Sequence, residues 1–362
     1  MKYRKSRAAL AVVLAAVTVL TAACSAQPGA AAPKTGSPTS STQTASPDAV
    51  NALELTGPRG APVIADMEPV VTDADPSLPA TVTDVNGTEV TVSSADRVLA
   101  LDLYGTLTDT VIGLGLHDRL VGRANSDLQA LLSDLPVVTK NGHDLNVEAV
   151  LNLNPDLVLT NTTIGSDKNY AQLEDAGVTV VRFEQVPHID AIAGAIADVG
   201  AALGVPDAAE QLAEHTTEEL AAAQDEIDAL RAETPRPPRA AVLYVRGTAG
   251  IFFILGEDYG AADILAALGL EDVALENGIT DLKPANAEAL VTLDPEIILA
   301  MKQGVESTGG IDGLLDRAGV SETTAGSHER IVTAPDSQLL SYGPRTPQSL
   351  IALARAIYTA AA

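Results

Sequence analysis

The 362-residue chain holds a single cysteine, no tryptophan, and only three phenylalanines and three methionines. A lone cysteine excludes an intrachain disulfide. The lack of tryptophan and the few phenylalanines argue against a cage of large aromatics built around a bulky aromatic ligand. Basic residues are also scarce. Lys and Arg number 22 against 48 Asp and Glu, a formal charge of -26, so the bulk field repels nucleic acid; we read the acidity as solubility. No phosphate-binding loop, nucleophile elbow or zinc-protease helix is present. No paired acid and base or activated nucleophile supports an enzyme. Zinc or manganese sites need several histidines and carboxylates to converge, and there are five histidines in all.

What is present begins at the front. Lys2, Arg4, Lys5 and Arg7 form a positive stretch, followed by an apolar run over Ala8–Leu20. That run is too short for a comfortable membrane span and reads as a signal peptide, residues 1–23. The only cysteine, Cys24, stands at the expected cleavage site, in Leu20-Thr21-Ala22-Ala23-Cys24. This resembles a bacterial lipoprotein box, which implies a lipidated Cys24 holding the protein to the outer face of the cell membrane. Loss of the peptide shifts the charge from -26 to -30, since it removes four basic residues and no acidic one. Residues 24–60, rich in Ala, Pro, Ser, Thr and Gly at their start, are expected to form a disordered tether. The remainder is long enough for two lobes with cores of their own.

The folded part repeats itself. LNVEAVLNLNPDLVLT, at 145–160, recurs as ANAEALVTLDPEIILA, at 285–300. At a constant offset Asn146/Asn286, Glu148/Glu288, Ala149/Ala289, Leu153/Leu293, Pro155/Pro295 and Leu159/Leu299 are identical. Each copy reads as an amphipathic helix, a turn with Pro, and a short apolar strand. A unit used twice at such a distance predicts two similar α/β lobes rather than a solenoid. Alternating runs either side of Asn86-Gly87 predict a hairpin. Strands are expected over 97–103, 136–139, 178–183, 240–246, 251–255, 296–300 and 331–334, with parallel sheets. Residues 79–188 and 238–362 then form the lobes, joined by one long helix over 189–235 that only Gly204-Val205-Pro206 interrupts. The fold class is α/β, two Rossmann-like lobes with a cleft between them.

In open parallel sheets ligands bind beyond the carboxyl ends of the strands. That rule selects Tyr104-Gly105, Lys140–Asp144 and Asn161–Gly165 in the first lobe, and Tyr244–Gly247 and Met301–Gly304 in the second. These loops hold one histidine, His143, on an Asn141-Gly142 turn that can project it outward. Imidazole is a good iron ligand. Tyr244 and Arg246, two apart on an extended strand, point to one side, so Arg246 can hydrogen-bond the Tyr244 oxygen. A tyrosine binds metal as phenolate, which a ferric ion and a nearby guanidinium both favour. The other histidines, His117, His188, His215 and His328, fall outside the selected loops.

From Pro79 to the C-terminus, the stretch RVLALDLYGTLTDTVIGLGLHDRLVGR and the two lobes on a helical backbone resemble the solute-binding proteins of ABC importers for siderophores, cobalamin, haem and metal ions. NGHDLN with LYVRG resembles the haem-binding lipoproteins of ABC haem importers (HmuT-like). The resemblance implies a non-enzymatic carrier that captures ferric haem and passes it to a permease. It implies His143 and Tyr244 as haem iron ligands from opposite lobes, with Arg246 supporting Tyr244. Met301, Tyr104 and Lys283 are expected to line the pocket. Asp281, in GITDL, stands where related haem binders can present an aromatic residue. In this class one Glu per lobe docks on permease arginines, which implies Glu148 and Glu288 meeting a permease dimer, the protein itself being a monomer. A ferric siderophore or cobalamin carrier of the same fold is the alternative; a zinc or manganese binder and a lipid-anchored enzyme have less support.

Overall fold

The computed structural model describes residues 48–185, 187–247 and 250–360. The signal peptide (1–23), Cys24 and the tether as far as residue 47 lie outside the described residues. The strands in chain order are β1 (Arg59–Gly60), β2 (Ala80–Thr83), β3 (Glu89–Val92), β4 (Val98–Leu101), β5 (Thr139–Lys140), β6 (Asp144–Leu145), β7 (Leu157–Thr160), β8 (Thr179–Arg182), β9 (Arg239–Arg246), β10 (Ile251–Ile254), β11 (Glu271–Asp272), β12 (Lys283–Pro284), β13 (Ile297–Met301) and β14 (Ile331–Ala334). The α-helices are α1 (Thr106–Gly113), α2 (Val147–Asn152), α3 (Asp167–Asp175), α4 (Ile192–Ala202), α5 (Pro206–Arg231), α6 (Ala261–Ala267), α7 (Val273–Glu276), α8 (Ala287–Leu293), α9 (Lys302–Glu306), α10 (Gly310–Leu315), α11 (Thr324–Ser327), α12 (Asp336–Leu339) and α13 (Thr346–Tyr358).

Each lobe is centred on parallel strands. The first has the order β4-β7-β8. The second has β9-β13-β14 in the same succession. Every residue of β4, β7 and β13 is buried, as expected of parallel strands covered on both faces. Burying leucines such as Leu99, Leu101, Leu157 and Leu159 contributes about 1.5–3 kcal/mol each. Not every pairing is parallel. β10 runs antiparallel to β9, and β12 antiparallel to β10. The connection from Arg246 to Ile251 is too short for a crossover, which leaves only a hairpin. The hairpin expected around Asn86-Gly87 is formed by β2 and β3.

The sequence repeat is a structural repeat in detail. Asn146 caps α2 by accepting from the Ala149 N–H, and Asn286 caps α8 by accepting from the Ala289 N–H. Asn154 and Asp294 both turn the chain with positive φ, 45° and 40°. Arg97, before β4, donates to the Leu153 and Asn154 carbonyls; Arg239, opening β9, donates to those of Leu293 and Asp294. Each arginine therefore ties a strand to the C-terminus of the repeated helix, whose last carbonyls lack intrahelical partners.

The connector expected as one long helix over 189–235 is two. α4 ends at Ala202, and α5 is a separate helix about 39 Å long. Pro206 has no N–H to donate and is favoured at the first position of a new helix, so α4 cannot run through it. α4 instead packs against α5. Gly200 permits the contact, since a Cβ there would sit 2.2 Å from that of Ala209.

The expected tether also ends sooner than residue 60. From Asp48 the chain is part of the fold. Ala49 bridges to Thr359, Ala52–Glu54 form a 3-10 turn, and β1 adds a parallel strand to β14. The chain then crosses to the first lobe. The Ile64 N–H donates to the Gln338 side chain, Met67 N–H to Gln129, and Val70 and Val71 N–H to the Gly113 carbonyl. The start of residues 24–60 is low in apolar residues, but the end offers backbone groups that an open sheet edge can pair. The lobes are thus joined twice, by this strap and by α5.

Candidate ligand-binding site

The carboxyl ends of β9, β13 and β14 lie side by side and present the second lobe's contribution. β9 delivers Tyr244 and Arg246, β13 delivers Met301 and then Gln303, and two residues past β14 stands Asp336. From the first lobe, Tyr104 sits in the turn after β4. That turn is shaped by Asp102, whose carboxylate accepts from the N–H groups of Tyr104, Thr106 and Leu107 and from the Thr106 hydroxyl, holding the start of α1. His143 lies on the β5–β6 hairpin, where Asn141 and Gly142 take the positive φ values, 52° and 88°, that a tight hairpin requires. The hairpin is pinned by the Gly165 N–H donating to the His143 carbonyl.

His143, Tyr104, Tyr244, Arg246 and Met301 line one cavity of about 400 Å³, together with Asn125, Ser126, Leu128, Gln303 and Asp336. His143 is open, its side chain 70% exposed, with the Asp144 carboxylate 3.9 Å from its Nε2. Tyr104 is half-buried, and desolvation of its hydroxyl, with Tyr244 and Asp102 beside it, pushes the hydroxyl up to about 12. It therefore stays a neutral donor at any physiological pH. Met301 is buried in the wall.

Two expectations are corrected. Lys283 does not line the cavity; it lies exposed on β12, opposite Ile254 of β10, because the antiparallel end of the sheet carries it elsewhere. Arg246 does point to the Tyr244 side, but its guanidinium lies over the ring, 4.9 Å from the centroid, rather than on the hydroxyl. Asp336 takes the guanidinium in an ion pair, and Arg246 also reaches the Met301 sulfur at 3.5 Å. Asp336 was not among the expected residues. The strand-end rule that selected Tyr244 and Met301 would have found it had β14, the strand next to β13, been included. Asp281 stays outside the cavity, its carboxylate on the Leu282 N–H.

A second cavity of about 300 Å³ also borders Tyr104. Glu184, Asp190 and Asp198 line it and no described histidine does, whereas the first brings a histidine and a second tyrosine together. Among the described residues no group of three or more His, Cys, Asp or Glu is placed to hold a bare metal ion, and no helix is long and apolar enough to cross a membrane. Glu148 and Glu288 stand exposed in the first turns of α2 and α8, clear of the cavity.

Residues 102–338 match the model of a family described as periplasmic binding protein. The crystal structure of the heme binding protein HmuT is 42% identical and superposes with a TM-score of 0.82, covering 85% of this chain and 99% of that one. Further structures of that protein are alanine variants at one histidine, one tyrosine and one arginine, the last two spaced two positions apart. An uncharacterized ABC transporter substrate-binding lipoprotein of Bacillus subtilis (strain 168), YvrC, is 26% identical over 78% of this chain and 86% of its own length. A cobalamin-binding protein of Halobacterium salinarum is 25% identical over 85% of this chain and 82% of its own.

Proposed function

Because the chain belongs to the periplasmic binding protein family, we propose that it is the extracytoplasmic receptor of an ABC importer, capturing ferric haem and handing it to the permease. The observation that carries this reading is the meeting of His143 from one lobe with Tyr244 and Arg246 from the other in a single cavity. A similar combination of residue types was varied in the heme binding protein HmuT. Tyrosinate is a precedented haem ligand, and a hard anionic oxygen favours the ferric state. The Arg246 guanidinium lies over the Tyr244 ring, 4.9 Å from its centroid, and places a positive charge beside the proposed ligand. His143, on its exposed hairpin, would hold the iron from the other lobe. Met301 and Tyr104 pack on the porphyrin. The protein works as a monomeric carrier, not a catalyst, anchored through a lipidated Cys24 to the outer face of the membrane, with Glu148 and Glu288 docking on a permease dimer.

Purified protein titrated with haemin should turn red, with a ferric-haem visible spectrum. Tyr244→Ala and His143→Ala should each change that spectrum and weaken binding, by about tenfold or more for loss of a coordinating group. A protein that stays colourless with haemin and instead takes up cobalamin would replace haem by the alternative cargo of the same fold.

A further inference from the structure

Arg246 is held from several sides. Its Nη1 approaches the Val245 carbonyl at 3.4 Å, and its Nη2 the Met301 sulfur at 3.5 Å. Gly304 leaves it room, since a Cβ there would lie 2.5 Å from Nη1. Among the described residues its only charged partner is Asp336. The backbone that carries this carboxylate is itself held, because the Asp336 N–H donates to the Gln303 side chain at 3.0 Å and Gln303 lines the same cavity. The second oxygen of Asp336 is buried and has no hydrogen-bond partner among the described residues. An ion pair serving stability alone gains most by satisfying both carboxylate oxygens. This one leaves an oxygen unmatched and holds the guanidinium over the Tyr244 ring.

We propose that Asp336 is the positioning residue of the site: by holding Arg246 stacked on the Tyr244 ring, it keeps the positive charge beside the phenol while leaving the phenol oxygen free for iron. The role at iron rests on the haem reading; the positioning does not. An untethered guanidinium would have other carboxylates to pair with, including those of the porphyrin, and would then leave the tyrosine.

The test is a cycle of Asp336→Ala, Arg246→Ala and the double variant. Haemin titration, the ferric visible spectrum and the haem dissociation rate are measured for each. Asp336→Ala should reproduce the spectral change of Arg246→Ala and speed dissociation about five- to tenfold, a charge-assisted contact discounted for partial exposure. The double variant should lose no more than the larger single loss. Asp336→Asn, which keeps the shape and one acceptor oxygen, should fall between, and serves if the alanine variant does not fold. A second readout needs no haem: in the unmodified protein the Arg246 side-chain protons should show ring-current shifts in NMR spectra, and these should vanish in Asp336→Ala or shrink in Asp336→Asn. Unchanged ring shifts, an unchanged spectrum, or losses that multiply in the double variant would overturn the proposal. If the unmodified protein fails to bind haemin, the haem reading falls, and the ring shifts still decide the positioning.

Discussion

Asp109 is fully enclosed on α1, yet it carries an ion pair with Arg345 at 2.9 Å and accepts from Gln129. Burial outweighs these partners and raises its carboxyl from 3.8 to about 6. A value raised on folding means the protonated form suits the folded state. The stability this group contributes is complete below about pH 4 and is lost as pH rises through about 6, on the order of 3 kcal/mol in all. Asp109→Asn should flatten the stability profile between pH 4 and 6; denaturant melts with an unchanged slope there would count against the assignment. At this scale the sequence was legible where a residue's role follows from its place on a strand. Tyr244, Arg246 and His143 stood at strand ends or on a hairpin, and the cavity contains all three. The pose of Arg246 was not legible, because Asp336 and Met301 lie far along the chain and only the sheet order brings them beside it.

Among the elements, the duplicated helix–turn–strand unit offers the sharpest comparison. Asn146→Ala and Asn286→Ala each remove the same helix cap and should each cost about 1 kcal/mol, measured by denaturant midpoint. Neither touches the cavity, so haemin binding at 25 °C should be unaltered. Gly200→Leu is expected to be harsher, about 1–3 kcal/mol or more, because the side chain would meet Ala209 at the α4–α5 contact. The unit was readable because its apolar spacing changes from helical to extended across a proline. The break between α4 and α5 was visible as a Gly-Val-Pro interruption, but its consequence was not: helical spacing resumes after Pro206, and whether a helix bends or folds back depends on a partner surface. The tether boundary failed for the same reason. Nothing in Arg59-Gly60 announces a strand until an unpaired edge stands next to it.

For the whole molecule, the repeat places an exposed acid in the same first turn of each lobe. Glu148→Lys and Glu288→Lys should abolish haem uptake by cells, alone or together, while leaving haemin affinity in solution within about twofold, since neither lines the cavity. Uptake that persists in the double variant would remove the docking assignment. The strap bears on how this molecule comes to exist. Arg59 pairs with Val332, so the strand that covers the outer edge of β14 is among the first of the described residues to emerge, and its partner among the last. Such a distant pairing forms late and slowly. Until it forms, β14 presents a bare edge of the kind along which chains associate. Removing residues 48–60 should therefore produce oligomers during refolding, detectable by light scattering, before it produces any loss of cargo binding in the molecules that fold. β1 acts as a guard strand, and the hazard of this two-lobed design lies in the interval between the emergence of β1 and the arrival of β14.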